Sequence, residues 1–310
     1  MQPAGDAASP ELFVISAHPA GFLGAFASRP IPAGTLVLDD TPLFTLDAPL
    51  QAYLFQRVQA GGGGGPTPVE GEDDDEVDQQ PATDLDDFLE RNIKTMLSCK
   101  SDEQRRQFWD LANTRADLPP AYGIFATNAV QTHGEIGGMF PLLSRFNSSC
   151  RPTLSRPAWD PSTRSTKLYA LRDIEAGEEL TWTYLNVTYE FEGVEARKQE
   201  LRQVFHFECC CVACDDRNVT PAERAASERR LLRLRRYKEQ IGGTDGGAEE
   251  QSDERRAVLR TMAKLSREEG LWETARRLDE AAGVEEQVGG VRAAHPAFAL
   301  ASPLSTLAVR

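Results

Sequence analysis

The chain has 310 residues, and its 48 acidic residues outnumber its 34 basic ones, which gives a formal net charge of −14 at pH 7. This charge argues against nucleic acid as a direct partner, because phosphate binding needs clustered lysine and arginine, and it favours a basic protein or peptide. No run of 18 apolar residues and no signal-peptide pattern occurs, so neither membrane insertion nor secretion is predicted. We therefore expect an intracellular protein, in the nucleus, the cytoplasm or both.

The first part of the chain shows strand patterns. Residues 1–10 are predicted to be a disordered tail. Short apolar and β-branched runs at 12–15 and 35–38 are separated by a turn-forming segment rich in proline at 30–34. This alternation predicts short strands in a small sheet.

Residues 47–131 are predicted to be a helical insertion that splits this sheet. A short helix is expected at 49–60 and ends at a run of glycines. The following segment at 61–82 is rich first in glycine and then in acidic residues, with almost no apolar residue to bury. Such a segment is predicted to be a disordered surface loop.

Two capping boxes begin the ordered part of this insertion. They read Thr83-x-x-Asp86 and Ser101-x-x-Gln104, and apolar residues at helical spacing follow each of them. A third helix is predicted at 122–131. Cys99 lies at the end of an apolar helical stripe, and we interpret it as a core residue.

Strand patterns return after the insertion. One strand is predicted at 167–171 and another at 180–184. In the second, the alternation of period two places Leu180, Trp182 and Tyr184 on one face.

Helices are predicted to dominate the rest of the chain. A helix at 193–204 leads into a cysteine-rich loop, and residues 217–310 are predicted to be a helical appendage. The helical segments rich in arginine and glutamate within it lie at 221–240, 252–268 and 270–284. The basic run at 229–236 is interpreted as a solvated face, with a partner surface as the alternative.

The cysteines indicate a metal site. Cys209-x-Cys211-x-x-Cys214 supplies three thiolates from one tight loop, and zinc prefers four at the corners of a tetrahedron. Cys150 is the candidate for the fourth ligand, and Cys210 is expected to point away, because neighbours in an extended loop face opposite sides. The alternative is a cluster of buried free thiols. Disulfides fit less well, because two adjacent cysteines can hardly satisfy disulfide geometry together.

Three motifs carry a resemblance to a known family. They read Asn147-Ser-Ser-Cys150-Arg-Pro152, Gly177-Glu-Glu-Leu-Thr-Trp-Thr-Tyr184 and Phe207-Glu-Cys-Cys-Cys-Val-Ala-Cys214. In this order they resemble the SET-domain protein lysine methyltransferases, most closely the SET-and-MYND group and its fungal relatives. The cysteine- and histidine-rich MYND finger of the animal members is missing from the sequence. The resemblance covers roughly residues 11–216.

The resemblance implies an α+β fold. It consists of a β-rich SET domain of small sheets at 11–216, divided by the helical insertion. A zinc-bound post-SET segment at 205–216 closes the domain, and the helical region at 217–310 follows it.

The resemblance also implies an activity, the methylation of protein lysine with S-adenosylmethionine as the methyl donor. Histone tails or other basic proteins would be the substrates. Tyr184 matches the catalytic tyrosine of the family, although its strand pattern alone would favour a core tyrosine. Phe205 stands where a second tyrosine lines the lysine channel in similar enzymes.

Several residues match family contacts to the methyl donor. Asn147 matches the asparagine that hydrogen-bonds the donor, and Gly24 matches the second glycine of a Gly-x-Gly loop that lies against it. The further matches implied by the resemblance are Asn128, Ser144, Ser148 and Phe207. Local capping is the alternative for Asn128 and Ser144, and a plain core position is the alternative for Phe207.

Three departures from the family pattern concern the same pocket. Phe22 replaces the first glycine of the Gly-x-Gly loop, Ser148 replaces a histidine, and Thr153 replaces an asparagine. They favour a rival interpretation, a catalytically silent SET protein that acts as a zinc-stabilised interaction module on chromatin or proteins. Retained Asn147 and Tyr184 oppose it. A zinc adaptor of the RING or knuckle type fits poorly, because only one set of four ligands can be assembled.

Overall fold

The computed structural model describes residues 12–46, 85–132, 137–242 and 253–284. Within these ranges the chain forms small antiparallel sheets and seven α-helices, which confirms the predicted α+β class. None of these helices is both long and apolar enough to cross a membrane. The expectations for residues 1–10, 49–60, 61–82 and Thr83 lie outside the described residues.

The chain divides into two compact units. Met1–Asp39 and Arg145–Arg310 form the first unit, and Asp40–Ser144 form the second. The three sequence motifs that follow residue 146 therefore all belong to the first unit.

The first unit contains two small sheets. Strands β1 (Phe13–Ala17) and β2 (Leu23–Ala27) form an antiparallel pair in which Phe13 lies opposite Ala27. Strand β3 (Leu36–Asp40) begins a second sheet, which continues with two later strands numbered below. The strand predictions at 12–15 and 35–38 are confirmed.

The second unit is mostly helical. It contains β4 (Phe44–Thr45), α1 (Leu85–Ser98), α2 (Asp102–Trp109), α3 (Pro120–Asn128), β5 (Val130–Gln131) and β6 (Gly137–Met139). The three short strands form one antiparallel sheet in the order β4-β6-β5. Its core is built from the buried side chains of Leu43, Phe44, Leu46, Ile93, Leu97, Phe108, Leu111, Ala121, Ile124, Phe125 and Met139.

Sequence patterns located these helices with two errors. The capping box is confirmed, since the side chain of Ser101 accepts from the backbone of Gln104 and the Gln104 side chain accepts from the backbone of Ser101.

The third helix lies at Pro120–Asn128 rather than 122–131, because proline is suited to a first helical turn and residues 130–131 pair with β6. Cys99 is exposed, so its prediction as core was wrong. Helix α1 ends at Ser98, and Cys99 has left the apolar face.

The first unit resumes with β7 (Ala158–Asp160) and β8 (Ser165–Tyr169), which complete a sheet in the order β3-β8-β7. The predicted strand at 180–184 is not a regular strand. The Leu180 amide donates to Ala25, whereas the Trp182 amide donates to Asn147. Because successive backbone groups bond to different segments, this stretch makes isolated bridges instead of a continuous ladder. It thereby joins β2 to the segment that carries Asn147.

Four helices complete the first unit, and they confirm the predicted helical segments. They are α4 (Val194–Phe205), α5 (Pro221–Gly242), α6 (Asp253–Glu268) and α7 (Trp272–Ala281). Leu231 and Leu234 of α5 are fully buried, whereas the arginines of its basic run are exposed or partly exposed. The last three helices share an apolar cluster with Phe191 that includes Leu231, Leu234, Met262, Leu265 and Leu271.

Candidate functional site

The four predicted metal ligands come together. The Sγ atom of Cys150 lies 4.0 Å from that of Cys209 and 3.5 Å from that of Cys214, and with Cys211 all four sulfur atoms lie within 4.8 Å of one another. In an ideal tetrahedron with zinc–sulfur bonds of about 2.3 Å, neighbouring sulfur atoms are about 3.8 Å apart. A disulfide would need about 2 Å. The four free cysteines could therefore hold a metal ion, and Cys210 is exposed as predicted.

The local chain conformation explains how three ligands come from one loop. Helix α4 stops at His206, which adopts a left-handed conformation with φ of 58° and turns the chain away from the helix axis. The carbonyl oxygen of Cys211 then accepts hydrogen bonds from the amides of Cys214 and Asp215. This tight turn brings the sulfur atoms of Cys211 and Cys214 to the same side.

A buried arginine compensates the negative charge of the cluster. Arg197 is 1% exposed, and its Nη2 atom lies 3.8 Å from Cys214 Sγ. Burial alone would lower the pKa of Arg197, but the neighbouring sulfur groups of Cys150 and Cys214 raise it. Because a zinc ion with four thiolates carries two negative charges, a buried cation beside it offsets part of the desolvation penalty. This arrangement fits a metal–thiolate centre.

Arg197 was missed by the sequence analysis, although its position carried a signal. It lies on α4 between Val194 and Leu201, at the spacing of the apolar face, and all three side chains are buried. An arginine at an apolar position of a helix that leads directly into a cysteine loop indicates a buried counter-charge.

Tyr184 is at the centre of an aromatic cluster. Its hydroxyl donates to the carbonyl oxygen of Phe146 at 3.0 Å, and its amide donates to Ser148 Oγ at 3.2 Å. The Tyr184 ring centroid lies 5.3 Å from that of Phe205 and 6.3 Å from that of Phe207. Burial raises the pKa of the Tyr184 phenol, and the charge of Glu179 raises it further. The phenol is therefore a neutral hydrogen-bond donor at physiological pH.

Phe205 and Phe207 also pack against the cysteine cluster. They belong with Tyr184 to the partly buried side chains around Cys150, Cys209 and Cys214. The loop that carries the metal ligands thus also positions the aromatic rings around Tyr184.

Gly24, Asn147 and Glu179 form a second tight contact. The Nδ2 atom of Asn147 donates to the carbonyl oxygen of Leu23 at 3.0 Å and to Glu179 Oε1 at 2.8 Å. A Cβ atom on Gly24 would lie 2.7 Å from Glu179 Oε1 and 3.0 Å from Asn147 Nδ2. Only glycine permits this approach of the two side chains to the backbone of β2.

Glu179 and His18 extend this contact and were missed by the sequence analysis. His18 Nε2 lies 3.5 Å from Glu179 Oε2, and the imidazole ring stacks on Phe22 with 4.3 Å between the centroids. Because these residues lie on segments far apart in sequence, no spacing rule indicated the pair. The aromatic ring of Phe22, where the family has glycine, thus packs on a histidine and leaves Phe22 42% exposed.

Thr153 and Ser148, the other two departures, both have structural partners. Thr153 is buried, and its hydroxyl accepts from the amide of Thr181 at 2.9 Å. Ser148 Oγ accepts from the Tyr184 amide, and Ser148 forms a parallel bridge with Trp182. Both replacements therefore connect the Asn147 segment to the segment that ends at Tyr184.

Asn128 and Ser144 lie in the second unit, and their side chains make hydrogen bonds within that unit. Asn128 Nδ2 donates to the carbonyl oxygens of Ala112 and Ile124 at 2.7 and 2.8 Å. Ser144 Oγ donates to the carbonyl oxygen of Phe140 at 2.7 Å. The bonds to Ile124 and Phe140, each four residues back, agree with the alternative of local capping. Donor binding by either residue stays a prediction.

The fold and the three motifs indicate which class of protein this chain belongs to, and comparison with known families tests that assignment. The family model of the SET domain matches residues 23–185, which is more than half of the chain. The chain belongs to the SET-domain family. The predicted resemblance is confirmed.

Individual relatives match shorter segments. "Histone-lysine N-methyltransferase set5" of Schizosaccharomyces pombe is 35% identical over 125 residues, which are 40% of this chain and 38% of that protein. "Histone-lysine N-methyltransferase SMYD3" of Homo sapiens is 36% identical over 110 residues, which are 32% of this chain and 24% of that protein. The matched segment thus spans less than two fifths of either relative.

A solved structure gives only a weak likeness. The SET domain of LSMT bound to lysine and AdoHcy aligns with a TM-score of 0.33 and 12% identity, over 89% of this chain and 87% of that one. A TM-score this low supports no conclusion about the site.

Proposed function

We propose that this chain transfers a methyl group from S-adenosylmethionine to the amine of lysine side chains in a histone or another basic protein. The observation that supports the proposal most strongly is the cluster of Tyr184, Phe205 and Phe207 beside the four cysteines, in a chain of the SET-domain family. Relatives named as histone-lysine methyltransferases and the net charge of −14 support a basic protein as the substrate. Such substrates would be met in the nucleus or the cytoplasm.

Asn147 fits a role in holding the methyl donor. Its Nδ2 atom is engaged by two acceptors, Leu23 O and Glu179 Oε1, which sets the orientation of the amide. No donor among the described residues bonds to its Oδ1 atom, so this oxygen can accept from the ammonium group of a methionine moiety. We propose that Gly24, Ser148 and Phe207 complete this pocket, with Phe207 packing on the adenine. When bound, S-adenosylmethionine supplies a methyl group activated by a positively charged sulfur.

Tyr184 and its aromatic neighbours would prepare the lysine. A lysine amine has a pKa of about 10.4 in water and is almost wholly protonated at neutral pH, so it must lose a proton before it can react. An apolar aromatic environment disfavours the charged amine. The Tyr184 hydroxyl donates its proton to the Phe146 carbonyl, so its oxygen can accept a hydrogen bond from an N–H of the amine and orient it. The nitrogen lone pair then stays free to attack, and the faces of the aromatic rings can stabilise developing positive charge. Reaction then depends mainly on positioning.

The metal centre would have a structural role. Cys150, Cys209, Cys211 and Cys214 would use all four positions of a tetrahedral zinc ion, which leaves none open for substrate. A metal held by these residues would join the Asn147-to-Pro152 motif to the loop that follows Phe205 and carries Phe207. Zinc would thus fix the distance between the donor pocket and the aromatic cluster.

Replacing Gly24 with alanine is expected to weaken donor binding by about tenfold or more, since overpacking typically costs about 1–3 kcal/mol. The new Cβ would collide with Glu179 Oε1 and Asn147 Nδ2. Calorimetric titration with S-adenosylmethionine measures the change. Gly193→Ala is the matched control, because the atoms nearest to its Cβ would belong to the carboxylate end of Glu228, which is not part of the proposed pocket. Equal donor affinity in the two variants would remove Gly24 from the proposed pocket.

Replacing Phe205 with tyrosine is expected to shift the products toward lower methylation states. Phe205 lacks a hydroxyl that similar enzymes place in the lysine channel, so the natural residue leaves more room around the amine. Mass spectrometry of the methylated products from both proteins gives the distribution of states. Identical distributions would refute this role of Phe205.

A peptide array with isotope-labelled S-adenosylmethionine tests the proposed function. We expect label in lysine-containing basic peptides with the wild-type chain and at most a trace with Tyr184→Phe. Label that is independent of Tyr184, or no label on any peptide at saturating donor, would contradict the proposal.

The exposed Phe22 supports a second candidate, a SET protein without catalytic activity that binds chromatin or other proteins. Its ring replaces a glycine of the expected donor loop and stacks on His18. A chain of this kind would bind zinc but not S-adenosylmethionine.

A further inference from the structure

A buried ion pair connects the segment that carries Cys150 to the C-terminal helices. Arg151 directly follows Cys150, and its Nη1 atom donates to the carbonyl oxygen of Cys150 at 2.6 Å. Its Nη2 atom forms an ion pair with Glu269, and the two side chains are 9% and 3% exposed. One nitrogen of the guanidinium group thus binds the backbone of Cys150, a proposed metal ligand. The other binds the carboxylate of Glu269, directly after the end of α6.

Glu269 is itself held by helix α5. Its carboxylate accepts from Arg230 Nε at 2.8 Å and from the hydroxyl of Ser227. Burial alone would raise the pKa of Glu269, but the charge of Arg151 and these hydrogen bonds lower it, which keeps the carboxylate ionised. The next residue, Gly270, has a φ of +76°, and a Cβ there would lie 3.2 Å from Arg151 Cδ. The turn after α6 is therefore shaped around the Arg151 side chain.

A second arginine connects the same helices to the segment after Tyr184. Arg156 Nη1 donates to the carbonyl oxygen of Leu185 at 2.7 Å. Its guanidinium lies 3.5 Å from Glu190 and 3.9 Å from Glu273 of α7. Arg151 thus binds the backbone carbonyl of Cys150, and Arg156 binds the carbonyl of Leu185, next to Tyr184. Each arginine also contacts an acidic residue of the C-terminal region, Glu269 for Arg151 and Glu273 for Arg156.

We propose that Glu269 is a positioning residue for the site: through Arg151 it holds the Cys150 backbone where the metal and the Tyr184 cluster need it. The helices α5 to α7 are then part of the catalytic unit and not an independent appendage. The inference rests on the proposed function where methyl transfer is measured. The measurement of zinc release does not depend on that function. A buried arginine that loses its carboxylate partner becomes an uncompensated buried charge, and it will move toward solvent or toward another acceptor.

The test compares Glu269→Gln with Glu268→Gln in the full zinc-loaded chain. Glu268 is the exposed neighbour at the end of the same helix, so the control removes the same charge without touching Arg151. Zinc transfer to a coloured chelator is timed, and kcat and KM are measured with a basic peptide. For Glu269→Gln we expect zinc release about tenfold faster or more and a lower kcat, since loss of a residue that orients a metal ligand typically weakens metal sites by about 10–100-fold. The control should match the wild type in both.

A second variant decides the case in which Glu269→Gln does not fold. Arg151→Lys retains a positive charge that can pair with Glu269. A single ammonium group cannot bind Glu269 and the Cys150 carbonyl at the same time in the geometry of the guanidinium. We expect this variant to fold, with helical content equal to the wild type, and to release zinc faster. Wild-type zinc release in Arg151→Lys, or in a folded Glu269→Gln, would overturn the proposal. If the wild type transfers no methyl group, the proposed function fails while the zinc-release comparison still decides the positioning role.

Discussion

Replacing Cys150 with serine is expected to abolish stoichiometric zinc binding and to lower the thermal stability of the first unit. The variant leaves three thiolates, and a serine hydroxyl is a poor ligand at neutral pH. Because the metal would join Cys150 to a loop about sixty residues later, binding free energy contributes directly to folding, on the order of 10 kcal/mol for structural zinc sites. Elemental analysis of the purified chain gives the zinc content, and thermal unfolding followed by circular dichroism gives the midpoint.

Cys210→Ser is the matched control for this experiment. Cys210 lies between two proposed ligands and is exposed, so its replacement should leave about one zinc ion per chain and an unchanged midpoint. Equal zinc content in Cys150→Ser and Cys210→Ser would show that Cys150 is not a ligand. A wild-type chain that holds no zinc would instead make the cluster one of buried thiols, the alternative left open by the sequence.

Replacing Tyr184 with phenylalanine is expected to lower kcat by about 100-fold or more, within the range that a positioned hydroxyl or acid–base group contributes. The variant keeps the ring packing against Phe205 and Phe207 but removes the hydroxyl that can orient the amine. Loss of the hydrogen bond to the Phe146 carbonyl should reduce the free energy of unfolding by only about 1 kcal/mol. Steady-state kinetics, donor titration and chemical denaturation separate these effects.

Tyr122→Phe controls for the general effect of removing a buried phenol. Tyr122 lies in the second unit, and burial also raises the pKa of its hydroxyl. We expect its kcat to equal that of the wild type. A Tyr184→Phe variant with wild-type kcat would assign Tyr184 to the core, as its strand pattern alone suggested.

The structure brings together the four cysteines that the sequence proposed as metal ligands, and three of them form a local pattern. Cys209, Cys211 and Cys214 are close in sequence, and the coordination preference of zinc made their spacing informative. Cys150 could be assigned because few other cysteines were available. Phe205, Phe207, Gly24 and Asn147 were proposed as site residues through the resemblance to a family and not from spacing, and their mutual contacts were not predicted.

The contacts that sequence reasoning missed join distant segments. Glu179 reaches Gly24 and His18 only because the stretch before Tyr184 lies against β2, and no periodicity encodes that approach. The burial of Arg197 was signalled only by its place on the apolar face of α4, and Glu269 looked like one acid among many in a polar region. Their burial depends on which elements pack together, which is a property of the tertiary fold.

Two errors in the fold have the same origin. The predicted strand at 180–184 fulfils the period-two pattern, yet its backbone groups bond to two separate segments in turn. The apolar stripe of α1 was extended one residue beyond the helix end, which placed Cys99 in the core. Patterns predict the type of element well, whereas partners and ends depend on neighbours that are far away in sequence.

Calorimetric titration of the zinc-loaded chain with S-adenosylmethionine tests most directly whether a methyl-donor pocket lies beside the cysteine loop. We expect micromolar affinity with about one donor bound per chain, and much weaker binding after zinc is removed. A folded, zinc-loaded chain that binds no donor at millimolar concentration would contradict the proposed methyl transfer and would leave the silent interaction module as the function.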